Sequence, residues 1–446
     1  MTRWERTKLK GKIHIKHGFP FKSEHFRDSG NLLVLTPGNF YEEGGFKQNA
    51  ENAKYYDGGF PSEYLLQEGD LIVAMTEQTD GLLGSMAFVP ESGRFLHNQR
   101  LGLVTTVSDD VHLDFLYHLF KTSWIRKQIR LTSTGSKVKH TSPEKLYDLD
   151  VELPDRSTQE KIADVLSTID STIANNRLIS EELEGIARLL YDYWFVQFDF
   201  PIDRMQALAL GSPALEGRPY RTSGGKMAYS DVLKREIPIG WDVGNLERLG
   251  QVIGGSTPST EEPEYFSKSG TPWITPRDLS ENDGNRFIDH GAIDVSSEGI
   301  KAASLKLLPA GTVLMSSRAP VGYLAIARKP VTTNQGFKSV IPSTRFSTDF
   351  VYFTLKHFMK LIKANASGST FKEISGSTLK AVKIPLPNSE LVSKFSEFTS
   401  RLSAEQSNLE QQNQDLIKLR KWLLPLLMNG QVSVADNSPA LQTQTL

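Results

Sequence analysis

Two long segments of the chain place apolar residues at the alternating three- and four-residue spacing of helices that pack against a partner helix. The first runs from Ile162 to Tyr193 and the second from Phe395 to Leu426, and eight of the ten predicted seam positions are apolar in each. The predicted seam positions are Ile162, Val165, Ile169, Thr172, Asn176, Ile179, Leu183, Ile186, Leu190 and Tyr193 in the first helix and Phe395, Phe398, Leu402, Glu405, Leu409, Gln412, Leu416, Leu419, Leu423 and Leu426 in the second. Each seam needs a partner in water, so we expect the two helices to pair with each other.

The two helices belong to a longer internal repeat, in which short motifs recur in the same order about 233–242 residues later. The matched motifs are Trp4 with Trp241, Gly18 with Gly255, Thr36-Pro37 with Thr275-Pro276, Asn98-Gln99 with Asn334-Gln335, and Gly135-Ser136 with Gly368-Ser369. Because so many pairs keep one order, the chain is predicted to be a duplication.

Each copy consists of a globular part followed by its helix. Residues 1–153 and 236–387 contain short β-branched runs separated by Gly and Pro, together with one helical stretch, which predicts two α+β domains. Residues 154–200 and 388–430 are the helical spacers, residues 201–235 have the Gly, Pro and Ser content of a linker, and residues 431–446 form a C-terminal tail. The predicted fold class is therefore α+β, with two pseudo-symmetric domains separated by two long helices in an intramolecular antiparallel coiled coil.

Antiparallel pairing with flush ends places Asn176 opposite Gln412, and we expect these amides to hydrogen-bond and set the register of the coil. A helix from Ile162 to Tyr193 is about 48 Å long at about 1.5 Å per residue. Two similar domains held apart by such a rod fit a reader of two DNA half-sites. The same geometry fits a coiled-coil scaffold with two modules that bind protein or carbohydrate, so geometry alone leaves both classes open.

Composition narrows the classes of protein without selecting one. The formal net charge is −1, but residues 155–200 carry a net −5 and residues 388–446 a net −1, which leaves +5 on the rest. This excess permits phosphate binding. The chain has no cysteine, which excludes disulfides and thiolate metal sites, and it lacks both a long apolar run and a signal-peptide pattern. We therefore expect a cytoplasmic protein that does not contact membranes.

The sequence contains none of four common catalytic signatures: no methylase Asn/Asp-Pro-Pro-Tyr/Phe, no Gly-x-Gly-x-x-Gly, no phosphate loop and no His-Glu-x-x-His. The histidines are scattered without the spacing of metal ligands. The sequence thus predicts a chain without catalytic, metal or cofactor sites of its own.

Four segments resemble conserved parts of the specificity (S) subunits of Type I restriction–modification systems. Residues Leu153–Leu166 are similar to the start of the central conserved region in that family, and Trp194–Pro201 to its end. Leu233–Trp241 resembles the lead-in to the second recognition domain, and Leu423–Val432 the C-terminal end. One departure is the second helix start, Glu390–Lys394, which lacks the usual Gln.

The resemblance implies a non-catalytic subunit with two target-recognition domains that bind a split site in double-stranded DNA. It also implies two methylation subunits that use S-adenosylmethionine and two restriction subunits that use ATP and Mg²⁺. These partners would dock on the coil and its ends, and Trp194 and Phe195 are the candidate docking residues. A stand-alone transcription factor remains a further competing interpretation.

Candidate DNA contacts are polar residues at matched positions of the repeat, where strands end or Gly-containing loops begin. In the first domain they are Thr76, Gln78, Gln99, Arg100, Lys137, Lys139 and His140. In the second they are Arg277, Ser316, Arg318, Gln335, Lys338 and Lys372. Asn98 and Asn334, which recur in both copies, are also consistent with a structural turn.

Overall fold

The computed structural model of the protein describes residues 4–47, 53–77, 81–282, 284–368 and 372–435. The chain divides into two compact units, residues 1–173 with 415–446 (unit 1) and residues 174–414 (unit 2). Each is described by itself below.

Unit 1 is built on two four-stranded sheets, in the orders β2-β10-β6-β8 and β3-β5-β4-β9, and two strand pairs, β1-β12 and β7-β11. The strands are β1 (Glu5–Lys8), β2 (Ile13–His17), β3 (Phe26–Arg27), β4 (Leu33–Val34), β5 (Lys54–Tyr56), β6 (Leu71–Ala74), β7 (Thr76–Glu77), β8 (Met86–Phe88), β9 (Phe95–Leu96), β10 (Leu101–Thr106), β11 (Lys139–His140) and β12 (Asp150–Leu153). The helices are α1 (Leu113–Leu119), α2 (Ser123–Thr132), α3 (Pro143–Tyr147) and the first half of α4 (Arg156–Tyr191).

The core of unit 1 lies between the first sheet and the helices. Strand β6 is buried along its whole length because its alternate residues face two different apolar clusters. One of these clusters includes Phe115 of α1, Ile129 of α2 and Ile162 of α4. The sheet β2-β10-β6-β8 is thus packed directly on the helix that follows it in sequence.

Unit 2 repeats this plan. Its sheets have the orders β16-β24-β21-β22-β19 and β17-β20-β18-β23, with the pairs β15-β25 and β13-β14. The strands are β13 (Met227–Ser230), β14 (Arg235–Pro238), β15 (Asp242–Asn245), β16 (Gly250–Gly254), β17 (Phe266–Ser267), β18 (Thr271–Ile274), β19 (Phe287–Ile288), β20 (Ile293–Val295), β21 (Val313–Met315), β22 (Leu324–Ala327), β23 (Thr332–Thr333), β24 (Lys338–Pro342) and β25 (Lys383–Leu386). The helices are α5 (Arg204–Ala209), α6 (Pro276–Glu281), α7 (Ser297–Ala302), α8 (Thr348–Ala364), α9 (Gly376–Ala381) and α10 (Ser389–Met428), of which residues 389–414 belong to this unit.

The two units share one strand order, which is the structural form of the duplication. Sheet β2-β10-β6-β8 corresponds to β16-β24-β21-β22, and β3-β5-β4-β9 to β17-β20-β18-β23. In the second sheet of each unit the last pair, β4-β9 or β18-β23, is parallel, whereas the other pairs are antiparallel. The predicted α+β fold class with two pseudo-symmetric domains is confirmed.

The repeated Thr-Pro motif begins an equivalent short turn in each unit. The Thr36 N–H donates to Asn39 Oδ1 at 2.9 Å, and the Thr275 N–H donates to Asp278 Oδ2 at 2.7 Å. Each Thr caps a helical turn whose first residue is Pro, a residue that suits this position because its missing N–H needs no partner.

Residues 201–235 are folded, so the prediction of a linker is wrong. The segment forms α5, whose start is capped by Asp203, and the hairpin β13-β14. Tyr220 stacks on Phe200 with ring centroids 4.6 Å apart, and Phe200 stacks on Trp241. Gly and Pro here shape turns around an aromatic core, which composition alone does not distinguish from a flexible linker.

The long helices run antiparallel where they meet within each unit. In unit 2 the Asn176 side chain contacts Asn413, and Glu184, further along α4, contacts Gln406, earlier in α10. In unit 1 Asp170 of α4 accepts a hydrogen bond from Arg420 of α10. The predicted antiparallel coiled coil is confirmed.

The predicted seam is displaced by one residue at every second position. At these positions of α4 and the helical turn after it, the buried residues are Leu166, Ile173, Ser180, Ala187 and Trp194, rather than Val165, Thr172, Ile179, Ile186 and Tyr193. The same one-residue change holds in α10, where Thr399, Gln406 and Asn413 are buried and Phe398, Glu405 and Gln412 are exposed. Small or polar residues fill much of the seam, and several large apolar residues face outward.

The helices of the described residues include none that is both long and apolar enough to span a membrane.

Candidate nucleic-acid interface

Three chain segments meet at one end of the first sheet in unit 1. The Met75 N–H, just after β6, donates to the carbonyl oxygen of Arg100 at 3.0 Å, and the Thr141 N–H donates to the carbonyl oxygen of Met75 at 2.9 Å. Strands β7 and β11 then pair Thr76 with His140. The structure therefore brings the predicted contacts Thr76 and His140 onto paired strands, with Arg100 in the turn just before β10 beside them.

A short hairpin carries the lysines of this surface. The backbones of Thr134 and His140 exchange hydrogen bonds of 3.0 and 2.8 Å, which closes the loop between them. Gly135 has φ +101°, a conformation that L side chains rarely adopt. Lys137 is exposed at the tip, and Lys139 is half-buried at the base.

Unit 2 builds the same surface from different side chains. The Ser317 N–H donates to the carbonyl oxygen of Gly336 at 2.7 Å, and the Ile374 N–H donates to the carbonyl oxygen of Ser317 at 3.0 Å. An isolated antiparallel bridge pairs Arg318 with Glu373. These two residues occupy the places that Thr76 and His140 hold in unit 1.

The hairpin of unit 2 is closed by the same pair of backbone hydrogen bonds as the hairpin of unit 1. The backbones of Ser367 and Glu373 exchange hydrogen bonds of 3.0 and 2.8 Å. Lys372 is exposed next to Glu373, and Lys338 Nζ lies 3.9 Å from Glu373 Oε1. The predicted contacts Arg318, Lys338 and Lys372 thus share one surface.

The recurrent asparagines form a structural turn. Asn98 Oδ1 accepts the Arg100 N–H at 3.0 Å, and Asn334 Oδ1 accepts the Gly336 N–H at 2.9 Å. A Cβ at Gly18 would lie 2.1 Å from the Asn98 carbonyl oxygen, and one at Gly255 would lie 2.0 Å from that of Asn334. Only Gly permits this approach, which explains why all four residues recur.

Each turn exposes a glutamine at its tip. Gln99 and Gln335 are both exposed, directly after the capping asparagine. In unit 2 the helix start Pro276-Arg277 lies against this turn, since a Cβ at Gly336 would be 3.0 Å from Pro276 Cγ. Arg277 itself is exposed and pairs with Glu281 at 2.6 Å.

The prediction for Ser316 is wrong because its side chain is buried and its hydroxyl is used internally. Ser316 Oγ donates to the Pro320 carbonyl oxygen at 2.7 Å and accepts the N–H groups of Gly322 and Tyr323 at 3.1 and 2.8 Å. It holds the loop that carries Arg318 instead of facing a ligand. Gln78 of unit 1 lies outside the described residues.

The charge of the surface comes from Lys and Arg and not from its buried histidine. His97 is fully buried next to the Asn98 turn, and burial lowers its pKa to about 4. At neutral pH its ring is therefore uncharged.

Two residues of this surface were missed from the sequence. Glu373 is neither a donor nor a cation, so the residue types expected at a DNA surface did not include it. Lys363, in the last turn of α8, lies against the Arg318 loop, since a Cβ at Gly322 would be 2.6 Å from Lys363 Cε. Nothing in the sequence links α8 to that loop.

The prediction that Trp194 and Phe195 dock a partner is wrong, because both are core residues of unit 2. They are 5% and 4% exposed. The Phe195 ring lies 4.9 Å from Phe350 and 5.2 Å from Phe395. Tyr193, which the seam pattern placed in the core, is 38% exposed.

The predicted register pair is a three-residue amide cluster. Asn176 Nδ2 donates to Asn413 Oδ1 at 3.0 Å and to Gln412 Oε1 at 3.4 Å. Asn176 and Asn413 are buried, whereas Gln412 is exposed. Asn413 is therefore the buried partner of Asn176, one residue from the predicted one.

Among the residues that the structure describes, no group of three or more His, Asp or Glu side chains is arranged to hold a metal ion. The surfaces above offer hydrogen-bond donors and cations on rigid strands and turns, an arrangement suited to binding.

Comparison with known proteins agrees with the duplicated architecture. The profile of the Type I restriction modification DNA specificity domain matches residues 1–185 and 238–419. The chain is 41% identical over 186 residues to the Type I restriction enzyme MjaIX specificity subunit of Methanocaldococcus jannaschii, an alignment that covers 41% of this chain and 43% of that protein. It is 29% identical over 333 residues to the Type I restriction enzyme HindI specificity subunit of Haemophilus influenzae, covering 66% of this chain and 72% of that protein.

A solved structure shares the fold over nearly the whole chain. The S subunit of the Type I restriction–modification system from M. genitalium superimposes with a TM-score of 0.59 at 14% identity, covering 95% of this chain and 96% of that one. Both segments of the family profile fall on the two units with the repeated strand order. The chain belongs to the family of Type I restriction modification DNA specificity domains.

Proposed function

We propose that this chain is the DNA specificity subunit of a Type I restriction–modification complex and binds a bipartite site in double-stranded DNA. The observation that carries the proposal is the recurrence of one polar surface in both units. Each surface consists of the residues that follow a central strand, a turn capped by an Asn side chain, and a hairpin closed by two backbone hydrogen bonds. The two surfaces have the same backbone and different side chains, as expected of two readers of different half-sites.

The two kinds of side chain on these surfaces suit two kinds of contact. The lysines on the hairpins, Lys137, Lys139 and Lys372, are placed to meet phosphates, which supply most of the affinity for DNA. Gln99, Gln335, Arg100 and Arg318 lie at strand ends and turns, where planar donors reach base edges. Thr76, His140, Arg277 and Lys338 complete the proposed set.

The partner surface is proposed to lie on the outward faces of the two long helices. In unit 2, Ile186 and Leu189 of α4 are 53% and 67% exposed. In unit 1, Leu419 and Trp422 of α10 are 42% and 62% exposed. These pairs occupy equivalent positions of the repeat, 233 residues apart. Two matched apolar patches fit two copies of one partner.

The proposed partners are two methylation subunits, which would bind S-adenosylmethionine, and two restriction subunits, which would use ATP and Mg²⁺. This chain would contribute recognition and assembly, while its partners would carry out catalysis. Such a complex acts on DNA in the cytoplasm.

The experiment that tests this proposal measures duplex binding by the chain co-expressed with a methylation subunit of the same family. Binding should weaken steeply with salt. The double variant Lys137→Ala/Lys139→Ala should reduce the slope of log K against log [salt] by up to about 0.9 for each phosphate that is no longer neutralised. Lys10→Ala is the matched control, because this lysine is exposed just before β2, at the end of the first sheet opposite the Asn98 turn.

Two outcomes would contradict the proposal. A scaffold for protein or carbohydrate would show no salt-dependent binding to duplex DNA and no association with the methylation subunit. A stand-alone transcription factor would bind DNA with full affinity without that subunit.

A further inference from the structure

The two surfaces differ in charge at the pair of residues that follows the central strand. Where unit 1 has Thr76 beside His140, unit 2 has a cation beside an anion, Arg318 and Glu373. Residues paired across an antiparallel bridge project to the same face, with Cβ atoms about 4.5–5.5 Å apart. The two side chains therefore lie next to each other on one face.

Arg318 and Glu373 are not joined by an ion pair among the described residues. The carboxylate of Glu373 instead lies 3.9 Å from Lys338 Nζ, and its side chain remains 43% exposed. The guanidinium and the carboxylate are thus separate recognition groups on one face.

The backbone beneath both groups is fixed. Ser317 is hydrogen-bonded on one side to Gly336 and on the other to Ile374, at 2.7 and 3.0 Å. The buried hydroxyl of Ser316 ties the following loop through three hydrogen bonds. A rigid base lowers the entropy lost when a side chain is held against a ligand.

We propose that Arg318 and Glu373 together read a single G·C base pair in the major groove of the second half-site, an inference that rests on the proposed function. The guanidinium fork matches the O6 and N7 acceptors of guanine, and a carboxylate accepts from the N4 amino group of cytosine. Guanine acceptors and the cytosine donor lie side by side on one base-pair edge. An A·T pair does not present this pattern.

The carboxylate also argues against a phosphate contact. A phosphate bound by Arg318 would lie close to Glu373, and the two negative charges would repel. A base edge carries no net charge and includes a donor that suits the carboxylate. The pair therefore favours the groove over the backbone.

The test is selection of duplexes from a randomised library by the assembled complex, followed by sequencing. The wild-type complex should select a bipartite site with an invariant G·C pair in one half. Arg318→Ala should lower the preference for that pair by roughly tenfold to a hundredfold, since a bidentate contact discriminates by about that factor. Glu373→Ala should relax the same base pair and no other.

Two control variants test whether the effect depends on the shape of the Arg318 side chain and on its location in unit 2. Arg318→Lys keeps the charge but loses the planar fork, so discrimination should fall while salt-dependent affinity stays close to wild type. Thr76→Ala, at the equivalent position of unit 1, should leave this base pair invariant.

Different outcomes would overturn the base-pair assignment and the proposed function. A wild-type complex that selects no bipartite site would overturn the proposed function. A bipartite site whose bases are unchanged in both Arg318→Ala and Glu373→Ala, or full base preference in Arg318→Lys, would overturn the base-pair assignment alone.

Discussion

Arg286 in unit 2 provides the sharpest test of how a recognition domain is held on its helix. Its side chain is fully buried, and Nη2 donates to Asp349 Oδ1 at 2.6 Å. Nη1 donates to Ser403 Oγ of α10 at 3.1 Å. The backbone N–H groups of Arg286 and Phe287 both donate to the carboxylate of Glu410, also on α10. One strand end is therefore attached to the coil by side-chain and main-chain contacts.

Replacing Arg286 with Met removes the cation but retains most of the volume. Asp349, whose side chain is 9% exposed, would keep one side-chain donor among the described residues, the Ser403 hydroxyl at 2.8 Å. Breaking a buried pair by removing one partner costs about 3–5 kcal/mol because the remaining charge is left uncompensated. With a urea dependence of about 2–3 kcal/mol per M, the unfolding midpoint should fall by about 1–2.5 M.

The measurement is urea denaturation of the full chain followed by tryptophan fluorescence. Arg277→Ala is the matched control: this arginine is 83% exposed, and its loss should change the free energy of unfolding by less than about 0.5 kcal/mol. Adding Asp349→Asn to Arg286→Met should recover more than half of the lost free energy of unfolding, since it removes the buried carboxylate charge that has lost its partner. The reasoning is refuted if Arg286→Met behaves like the control, or if the second substitution worsens it.

Three further predictions concern the coil, pH and docking. Asn176→Leu should destabilise unit 2 by about 1–3 kcal/mol in urea denaturation, because it leaves the buried Asn413 amide without that donor. The double variant Asn176→Leu/Asn413→Leu should recover most of this loss. Equal losses in the single and the double variant would contradict the pairing. Burial lowers the pKa of His118 to about 3 and that of His97 to about 4. Below pH 6.5 the unfolded chain therefore binds protons that the folded chain does not, and stability should fall by about 2 kcal/mol per histidine between pH 7 and pH 5. The variants His118→Gln and His97→Gln should lose that part of the pH dependence, and an unchanged profile would be evidence against it. Trp422→Glu should reduce co-purification with the methylation subunit and leave half-site preference intact, whereas undiminished co-purification would place the docking surface elsewhere.

The duplicated α+β plan and the antiparallel coil were predictable because they depend on repeated motifs and long periodic segments. The seam was misplaced at alternate positions for a physical reason. Hydrophobicity favours Ile179 and Ile186 over their neighbours Ser180 and Ala187, yet packing buries the small residues. Small side chains let two helices approach closely, and the large ones left outside form the proposed docking patch. The pattern of apolar residues in one sequence cannot distinguish residues that pack between the two helices from residues on an outer face that binds a partner.

The two surfaces proposed to contact DNA were predictable in location but not in every residue. Matched positions of the repeat led to residues such as Arg318 and Lys137, which the structure places at strand ends and on hairpins of one surface in each unit. Burial of Ser316 depends on three hydrogen bonds within its own loop, which sequence spacing does not reveal. The aromatic residues Trp194 and Phe195 were read as exposed because their partners, such as Phe350, are distant in the chain.

The most direct test of the central claim is methylome sequencing of a host that carries this chain with its methylation subunit. Two units that read DNA through equivalent surfaces should produce one methylated motif made of two specified parts and a spacer of fixed length. A methylome unchanged by the chain, or a motif that is one contiguous sequence, would contradict the account.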